Sequence, residues 1–313
     1  MELRHLRYFL AVADAQNFSR AAETVHVSQP SLSVQIRALE EELGARLFDR
    51  LGRKVVLTRT GEIFREHAER VMRELEQASQ SVQELQGARR GRLVVGALST
   101  VNSYLIPPLA ARFKHRFPGI HLQVHAQPSS DIVAALLANR LDMGICLLPV
   151  DADCLTATHL FDERLALVAP ASFPLRKPRL RMRELAGLPL VLMPVDYCLR
   201  KMIEAECRKV GIEPQVDLEM TSPEGILEAV AEGTGLTILP ELYVRLHLRR
   251  RRLRTLDLID PTPRHSVGLV YPTNRYQSIA AREFARLCQA TVNELLSASR
   301  DSASRRTGSD TSG

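Results

Sequence analysis

Cysteine is scarce in this chain and badly spaced for its structural uses. Cys146, Cys154, Cys198, Cys207 and Cys288 are scattered over 313 residues without a Cys-x-x-Cys pair. That pattern gives neither a disulfide framework nor a thiolate metal site and fits reduced thiols in a cytoplasmic protein. Redox sensing by Cys146 or Cys198 is conceivable, although nothing flanking them argues for an activated thiol. The nine histidines show no ligand pairing on a helix face. A charged-then-apolar leader is missing, and no apolar run approaches the ~18 residues of a membrane span. Secretion, insertion and a membrane partner are therefore not expected. Phosphate-binding loops, dinucleotide fingerprints and Gly-x-Ser-x-Gly elbows are missing too. An α/β enzyme is thus disfavoured, and no catalytic residue, metal or cofactor is expected.

What is present is concentrated near the N-terminus. Phe18, Ala21, Ala22 and Val25 share one face of a short helix. Ser28 suits the N-cap of a second, with Gln29 and Pro30 in its first turn. Leu32, Ile36, Leu39 and Leu43 then form a stripe for burial, and Gly44 is a natural stop. Pro30, Ser33, Val34 and Arg37 face the other way, with Gln29 at the exposed tip. Small Ala21 and Ala22 let the two helices cross closely. Such a pair fits the major groove, where Gln can bond adenine and Arg can bond guanine. Residues 1–60 hold nine basic and seven acidic side chains, but Arg46, Arg50, Arg53, Lys54 and Arg59 face only Asp49 in the stretch from 46 to 59. The positive potential is local, enough for a few phosphate or narrow-groove contacts.

The strings MELRHLRYFLAVA, AA, SQPSLS, LEEELG, LFDR and LTRTG resemble the N-terminal domain of LysR-type transcriptional regulators. The resemblance is close over roughly the first 65 residues and looser beyond. It implies a winged helix-turn-helix over 1–60, with Gln29, Pro30, Ser31, Ser33, Val34 and Arg37 in the groove-entering helix and Arg50, Arg53 and Lys54 in the wing. Val34 departs from the longer polar or basic side chain common at its position, and its methyl groups suit a thymine methyl. NSYLIPPL and LDMGICLLPV resemble the branch that includes the cyanate-operon regulator.

From Gly61 onward, Phe64, Ala68, Val71, Leu75, Ala78, Val82 and Leu85 recur at steps of four and three, as in a coiled-coil seam. A linker helix over 61–91 that pairs two copies is expected, with packing on the chain's own domain as the alternative. Pairing would present two reading heads to a partly palindromic promoter site. The resemblance adds a tetramer, and contact with RNA polymerase is conceivable.

Ala88 to Arg92 marks a boundary. Strands are expected at 93–97, 121–126 and 141–148, with helices at 102–116 and 131–139 between them. A second set places strands at 188–194, 216–220 and 236–240 and helices at 199–210 and 223–232. A strand at 266–271 and a helix from 277 to about 296 follow. Alternation of this kind indicates parallel sheets with crossover helices. The resemblance implies a two-lobed α/β effector domain over 92–297, similar to type 2 periplasmic binding proteins. Lobe I would take 92–161 and 265–297, and lobe II 162–264. Ser99 and Thr100, Ser129 and Ser130, and Thr221 and Ser222 each precede a helix and suit a cradle for a small anion such as a carboxylate. Pro194, Asp196 and Tyr197 would supply the opposite wall, and Cys146 ends a strand near it. The basic runs Arg176–Arg183 and Arg249–Arg254 read as solvated edges. The Ser/Arg/Gly-rich tail, 298–313, is expected to be disordered. The function expected is a sequence-specific DNA-binding regulator controlled by a small effector; a solute-binding module without gene control is the alternative.

Overall fold

The computed structural model describes residues 1–307 except 52–53, 86–90, 175–176 and 249–251, with backbone alone described at 50–51, 80–81, 83–85 and 298–307. Arg53, the end of the expected linker, Arg176 and Arg249–Arg251 therefore lie outside the described residues. Two compact units make up the chain, one comprising Met1–Ala88 and Ala138–Arg140, the other Arg89–Leu137 and Leu141–Gly313.

In the first unit, α1 (Leu3–Ala15), α2 (Phe18–Thr24) and α3 (Gln29–Leu43) precede the hairpin β1 (Phe48–Leu51) and β2 (Lys54–Leu57) and the long helix α4 (Arg59–Leu85). The Asn17 side chain caps α2 by accepting from the N–H groups of Ser19 and Arg20. Ser28 caps α3 through the N–H of Ser31, and Gly44 ends that helix at φ 66°, a left-handed turn that glycine adopts without steric penalty. Leu32, Ile36 and Leu39 are buried as the stripe requires, but Leu43 is 39% exposed. Leu43 is the last residue of the helix, beyond the buried stripe. Fully buried Phe9 packs on Phe48 at 5.2 Å and Phe64 at 4.9 Å between ring centroids, tying α1 to the wing and to α4. Each such pair adds about 0.5–1.5 kcal/mol beyond area burial.

The apolar repeat on α4 divides in two. Ala68 is buried, and Phe64 packs against the unit's own core. Val71, Leu75 and Val82 stay exposed, Val82 at 56%. Packing on the same chain thus accounts for the first turns only.

The second unit begins with β3 (Gly91–Ala97), α5 (Ser99–Tyr104), α6 (Ile106–Arg116), β4 (Ile120–Ala126), α7 (Ser129–Leu137) and β5 (Met143–Leu148). β3 pairs in parallel with both β4 and β5, as the alternation predicts. The helix expected from Asn102 starts three residues earlier, at Ser99. Next comes β6 (Leu155–Pro170), a 16-residue strand. β7 (Arg179–Arg181), a short 3₁₀ turn, β8 (Leu190–Leu192), α8 (Cys198–Lys209), β9 (Val216–Glu219), α9 (Pro223–Ala231), β10 (Thr237–Pro240) and α10 (Glu241–His247) follow. The chain closes with β11 (Leu253–Ile259), β12 (Arg264–Pro272) and α11 (Ile279–Thr307).

The main sheet runs β4-β3-β5-β12-β6-β11-β7, with β10 also on β6, and β8 and β9 form a separate parallel pair. It is mixed rather than parallel: β12 runs antiparallel to both β5 and β6. β6 serves two neighbourhoods. Leu155–Arg164 pair with β12, and Leu165–Pro170 pair with β10 and β11. Neither β7 nor β11 was expected from the sequence. β7 is the edge strand of the basic run, and Lys177, Arg179 and Arg181 sit within 4.0 Å of Glu184, Asp257 and Asp260. Charge on an edge strand discourages pairing with a foreign strand. The expectation of disorder from 298 is corrected as far as Thr307, where α11 continues because neither glycine nor proline interrupts Ile279–Thr307. Residues 308–313 lie outside the described residues.

The LTRTG string has a packing basis. Thr58 accepts from the N–H of Gly61 at 3.0 Å, capping α4, and donates to the carbonyl of Arg46 at 2.7 Å. A Cβ on Gly61 would meet the Leu47 carbonyl oxygen at 2.1 Å. Gly61→Ala is therefore expected to lower stability by about 1–3 kcal/mol, as overpacking does, read as a drop in the thermal midpoint of the full chain by circular dichroism.

Candidate functional site

Two regions bring the expected residues together. The first is the outward face of α3. Gln29, Pro30, Ser31, Val34 and Arg37 are exposed there, Val34 at 60%, and Ser33 is half-buried. The Gln29 amide donates to the Ser33 hydroxyl at 2.8 Å, so in the free protein it lies along the helix, one turn back from its tip. α3 is fixed to the wing from below. Glu40 accepts from the N–H groups of Leu47 and Phe48, at 2.7 and 3.1 Å. The β1–β2 register sets Arg50 opposite Val55 and Leu51 opposite Lys54, placing Lys54 at the exposed end of the hairpin.

The second region lies in the second unit, beyond the ends of β3 and β5. A cavity of about 40 Å³ is lined by Ser99, Thr100, Ser129, Tyr197, Cys198 and His265 among others. It shares Ser129, Leu147, Cys198 and His265 with a wider cleft of about 810 Å³ that also takes in Ser130, Lys201 and Arg264. Ser99 and Thr100 arrive through the start of α5, Ser129 and Ser130 through the start of α7, and Tyr197 caps α8. Three helix beginnings thus converge, each with unpaired N–H groups that favour negative charge. Ser129 is already engaged, its hydroxyl accepting from the Leu147 N–H at 3.1 Å. Burial chiefly, then the charges of Asp196 and Asp131, push the Tyr197 hydroxyl above the usual tyrosine range. In the wider cleft the Asp162 carboxyl is held below its usual range by a hydrogen bond from Ser266, with His159 adding to it.

Other expected residues stay outside. Cys146 is fully buried, and burial pushes its thiol up to about 12, with the neighbouring Cys198 adding to it. Its β5 position points it into a small cluster with Ile132 and Leu136. Thr221 and Ser222 are exposed, and Ser222 is an ordinary N-cap of α9, accepting from Gly225 at 3.2 Å. Pro194 and exposed Asp196 lie beside the cavity in sequence without lining it. Conversely, Cys198, Lys201, Arg264 and His265 were not among the expected site residues. Cys198 opens α8 and is the cysteine placed in the cavity wall, whereas Cys207 and Cys288 are buried and Cys154 is exposed elsewhere. Arg200 anchors the same turn, donating to the Met193 carbonyl and the Glu219 carboxylate, both at 3.0 Å.

Among the described residues no cluster of His, Cys, Asp and Glu suits a metal ion, and no helix is long and apolar enough to cross a membrane. Residues 3–62 match the family model of the bacterial regulatory helix-turn-helix protein, lysR family, and residues 86–293 that of the LysR substrate binding domain. The hydrogen peroxide-inducible genes activator of Escherichia coli O6:H1 is 33% identical, over 92% of this chain and 96% of that protein. The RuBisCO operon transcriptional regulator of Allochromatium vinosum is also 33% identical, over 91% and 94%. A full-length OxyR variant from Pseudomonas aeruginosa shares the fold with a TM-score of 0.69 at 27% identity, covering 93% and 94% of the two chains. With both its reading head and its cleft-bearing unit matched, the chain belongs to the LysR family, as a DNA-binding transcriptional regulator with an effector-binding domain.

Proposed function

We propose that this regulator reads promoter DNA through α3 and the wing, paired with a second copy along α4, and that its effector is a small oxidant of the hydrogen peroxide class acting at Cys198. Gln29, Pro30, Ser31, Ser33, Val34 and Arg37 would meet base edges and phosphates in the major groove, and Arg50, Arg53 and Lys54 the backbone or the adjacent minor groove. The exposed seam of Val71, Leu75 and Val82 supports pairing, because a second copy would cover it. Pairs of dimers and contact with RNA polymerase extend that assembly, in the cytoplasm where the promoter is.

The position of Cys198 carries the effector reading. It is half-buried, stands in the first turn of α8, and lines a cavity of about 40 Å³. A space of that size admits a small molecule of a few heavy atoms, since about 10–15 Å³ open to a water-sized probe already holds one water. In the step proposed, the Cys198 thiolate sulfur bonds to one peroxide oxygen as the O–O bond breaks. The second oxygen leaves as hydroxide and takes a proton to become water, leaving a sulfenic acid. Cys207 lies nine residues further along α8 and is buried, its thiol pushed up to about 11 by burial with Glu204 and Glu206 adding. The Cα atoms of the two cysteines are thus roughly 13 Å apart along the helix axis. A disulfide between them, formed with loss of water, requires α8 to unwind, since bridged Cα atoms lie within about 7 Å. Chemistry at Cys198 would in this way remodel a lobe, and only an effector that favours one arrangement shifts the population. The peroxide-inducible relative supports this reading, and the RuBisCO-operon regulator shows that equal identity accompanies other circuits.

A second reading keeps a small carboxylate as effector. Lys201 and Arg264 in the wider cleft favour it, with Ser130 and Ser266 beside them.

Arg37→Ala is expected to weaken binding to the chain's own upstream region about tenfold, and Lys54→Ala to reduce the salt slope by about one unit. Fluorescence anisotropy across a salt series measures both, and unchanged affinity for Arg37→Ala removes that contact. On treatment with H2O2, mass spectrometry should find the added oxygen or the disulfide on Cys198, and Cys198→Ser should abolish any peroxide effect on DNA binding. Oxidation of exposed Cys154 alone would overturn the peroxide reading. Stabilisation by small carboxylates in wild type and Cys198→Ser alike would assign the response to the anion.

A further inference from the structure

The first turn of α8 is held by a buried cation. Arg200 is 6% exposed, and a guanidinium keeps its charge, so it stays buried only with acceptors around it. Its Nε donates to Glu204 Oε1 at 2.7 Å, and Nη1 donates to the Met193 carbonyl and to Glu219 Oε1, both at 3.0 Å. The Glu204 contact spans one helical turn and exists only while residues 200–204 are wound. The other two contacts leave the helix. Met193 directly follows β8, and Glu219 ends β9, where it pairs with Leu192. One side chain thus fastens the start of α8 to the β8–β9 pair. Arg200 lines neither the cavity nor the wider cleft. It stands between the two cysteines, two residues after Cys198 and seven before Cys207. Bringing those cysteines together opens the turns that Arg200 ties down. Leu199, Ile203 and Cys207 are buried there too, but apolar burial is non-directional and can be regained in another arrangement. The guanidinium instead loses three fixed acceptors in one step.

We infer that Arg200, with Glu204 and Glu219, is the latch of α8: it keeps the reduced helix wound and sets the rate at which the Cys198 sulfenic acid closes on Cys207. The inference rests on the peroxide reading above and deepens it. In the closing step the Cys207 sulfur bonds to the sulfenic sulfur, and the sulfenic hydroxyl leaves with the thiol proton as water. Arg200 is a positioning residue for this step, acting through the helix. It has no part in the first step, because it is not in the wall that peroxide meets. The latch makes the disulfide a response to lasting oxidation. A sulfenic acid reduced by a small thiol before the latch opens leaves the lobe as it was.

The test times the two steps separately in the full chain treated with H2O2. Trapping with dimedone, which reacts with sulfenic acids, follows the first, and mass spectrometry of the Cys198–Cys207 disulfide follows the second. Glu219→Gln keeps the shape and gives up the charge. It is expected to speed closure about tenfold, as loss of roughly one hydrogen bond does, with sulfenic acid formation changed less than twofold. Arg200→Gln should speed closure at least as much, and Arg200→Lys, which keeps the charge without the fork, should recover part of the wild-type delay. The double variant Arg200→Gln with Glu219→Gln should close no faster than Arg200→Gln alone, because both changes remove one interaction. Gains that multiply would mark a general loosening of α8 and overturn the inference. An unchanged closure rate in Glu219→Gln, or equal acceleration of both steps, overturns it too. Should Arg200→Gln not fold, Glu219→Gln and Glu204→Gln carry the result, and wild-type closure in both overturns the inference equally. A wild-type chain that forms no sulfenic acid at Cys198 would sink the peroxide reading itself, an outcome visible before any variant is made.

Discussion

A single strand has to belong to two sheets' worth of partners at once. β6 pairs with β12 over its first ten residues and with β10 and β11 over the rest. The place where its partners change is where Glu163 is buried, and a buried carboxylate is tolerated only with its oxygens occupied. Tyr104 and Leu242 occupy them from α5 and α10. Cleft geometry depends on that crossing, because α5 carries Ser99 and Thr100 and β12 carries His265.

Much of this was legible in local sequence. Helix caps and stripes need only a few neighbours, so α2, α3 and α4 follow from Ser28, Gly44 and the spacing of apolar side chains. Leu43 fails the stripe because periodicity does not say where the covering element ends. β6 and β11 escape local reading for another reason. In LTATHLFDE alternation is broken, and the strand is held by hydrogen bonds to β12, more than 100 residues later. NSYLIPPL and LDMGICLLPV, which suggested a particular branch, are largely core: Tyr104, Leu105, Ile106 and Leu109 pack beneath α5 and α6, and Met143 and Ile145 line β5. Their likeness reports packing and says little about an effector.

The same limit governs the site. Ser99, Ser129 and Ser222 carry one local signature, a hydroxyl at the start of a helix. Topology alone separates them, gathering two at the cavity and leaving the third as a surface cap. His265 has no local signature, since only the fold brings β12 to the cavity wall beside Ser129 and Cys198. Sequence set Cys198 beside Cys146 as a conceivable redox thiol, and only α8, which places Cys198 in the wall, separates the two.

The pairing proposed along the exposed seam of α4 has a genetic consequence. A surface that pairs like with like does not inspect the rest of its partner. A copy with a ruined α3 and an intact seam of Val71, Leu75 and Val82 would be accepted as readily as a sound one, and each mixed pair would hold only one reading head. Lesions in the reading head should therefore behave as dominant, and lesions in the seam as recessive.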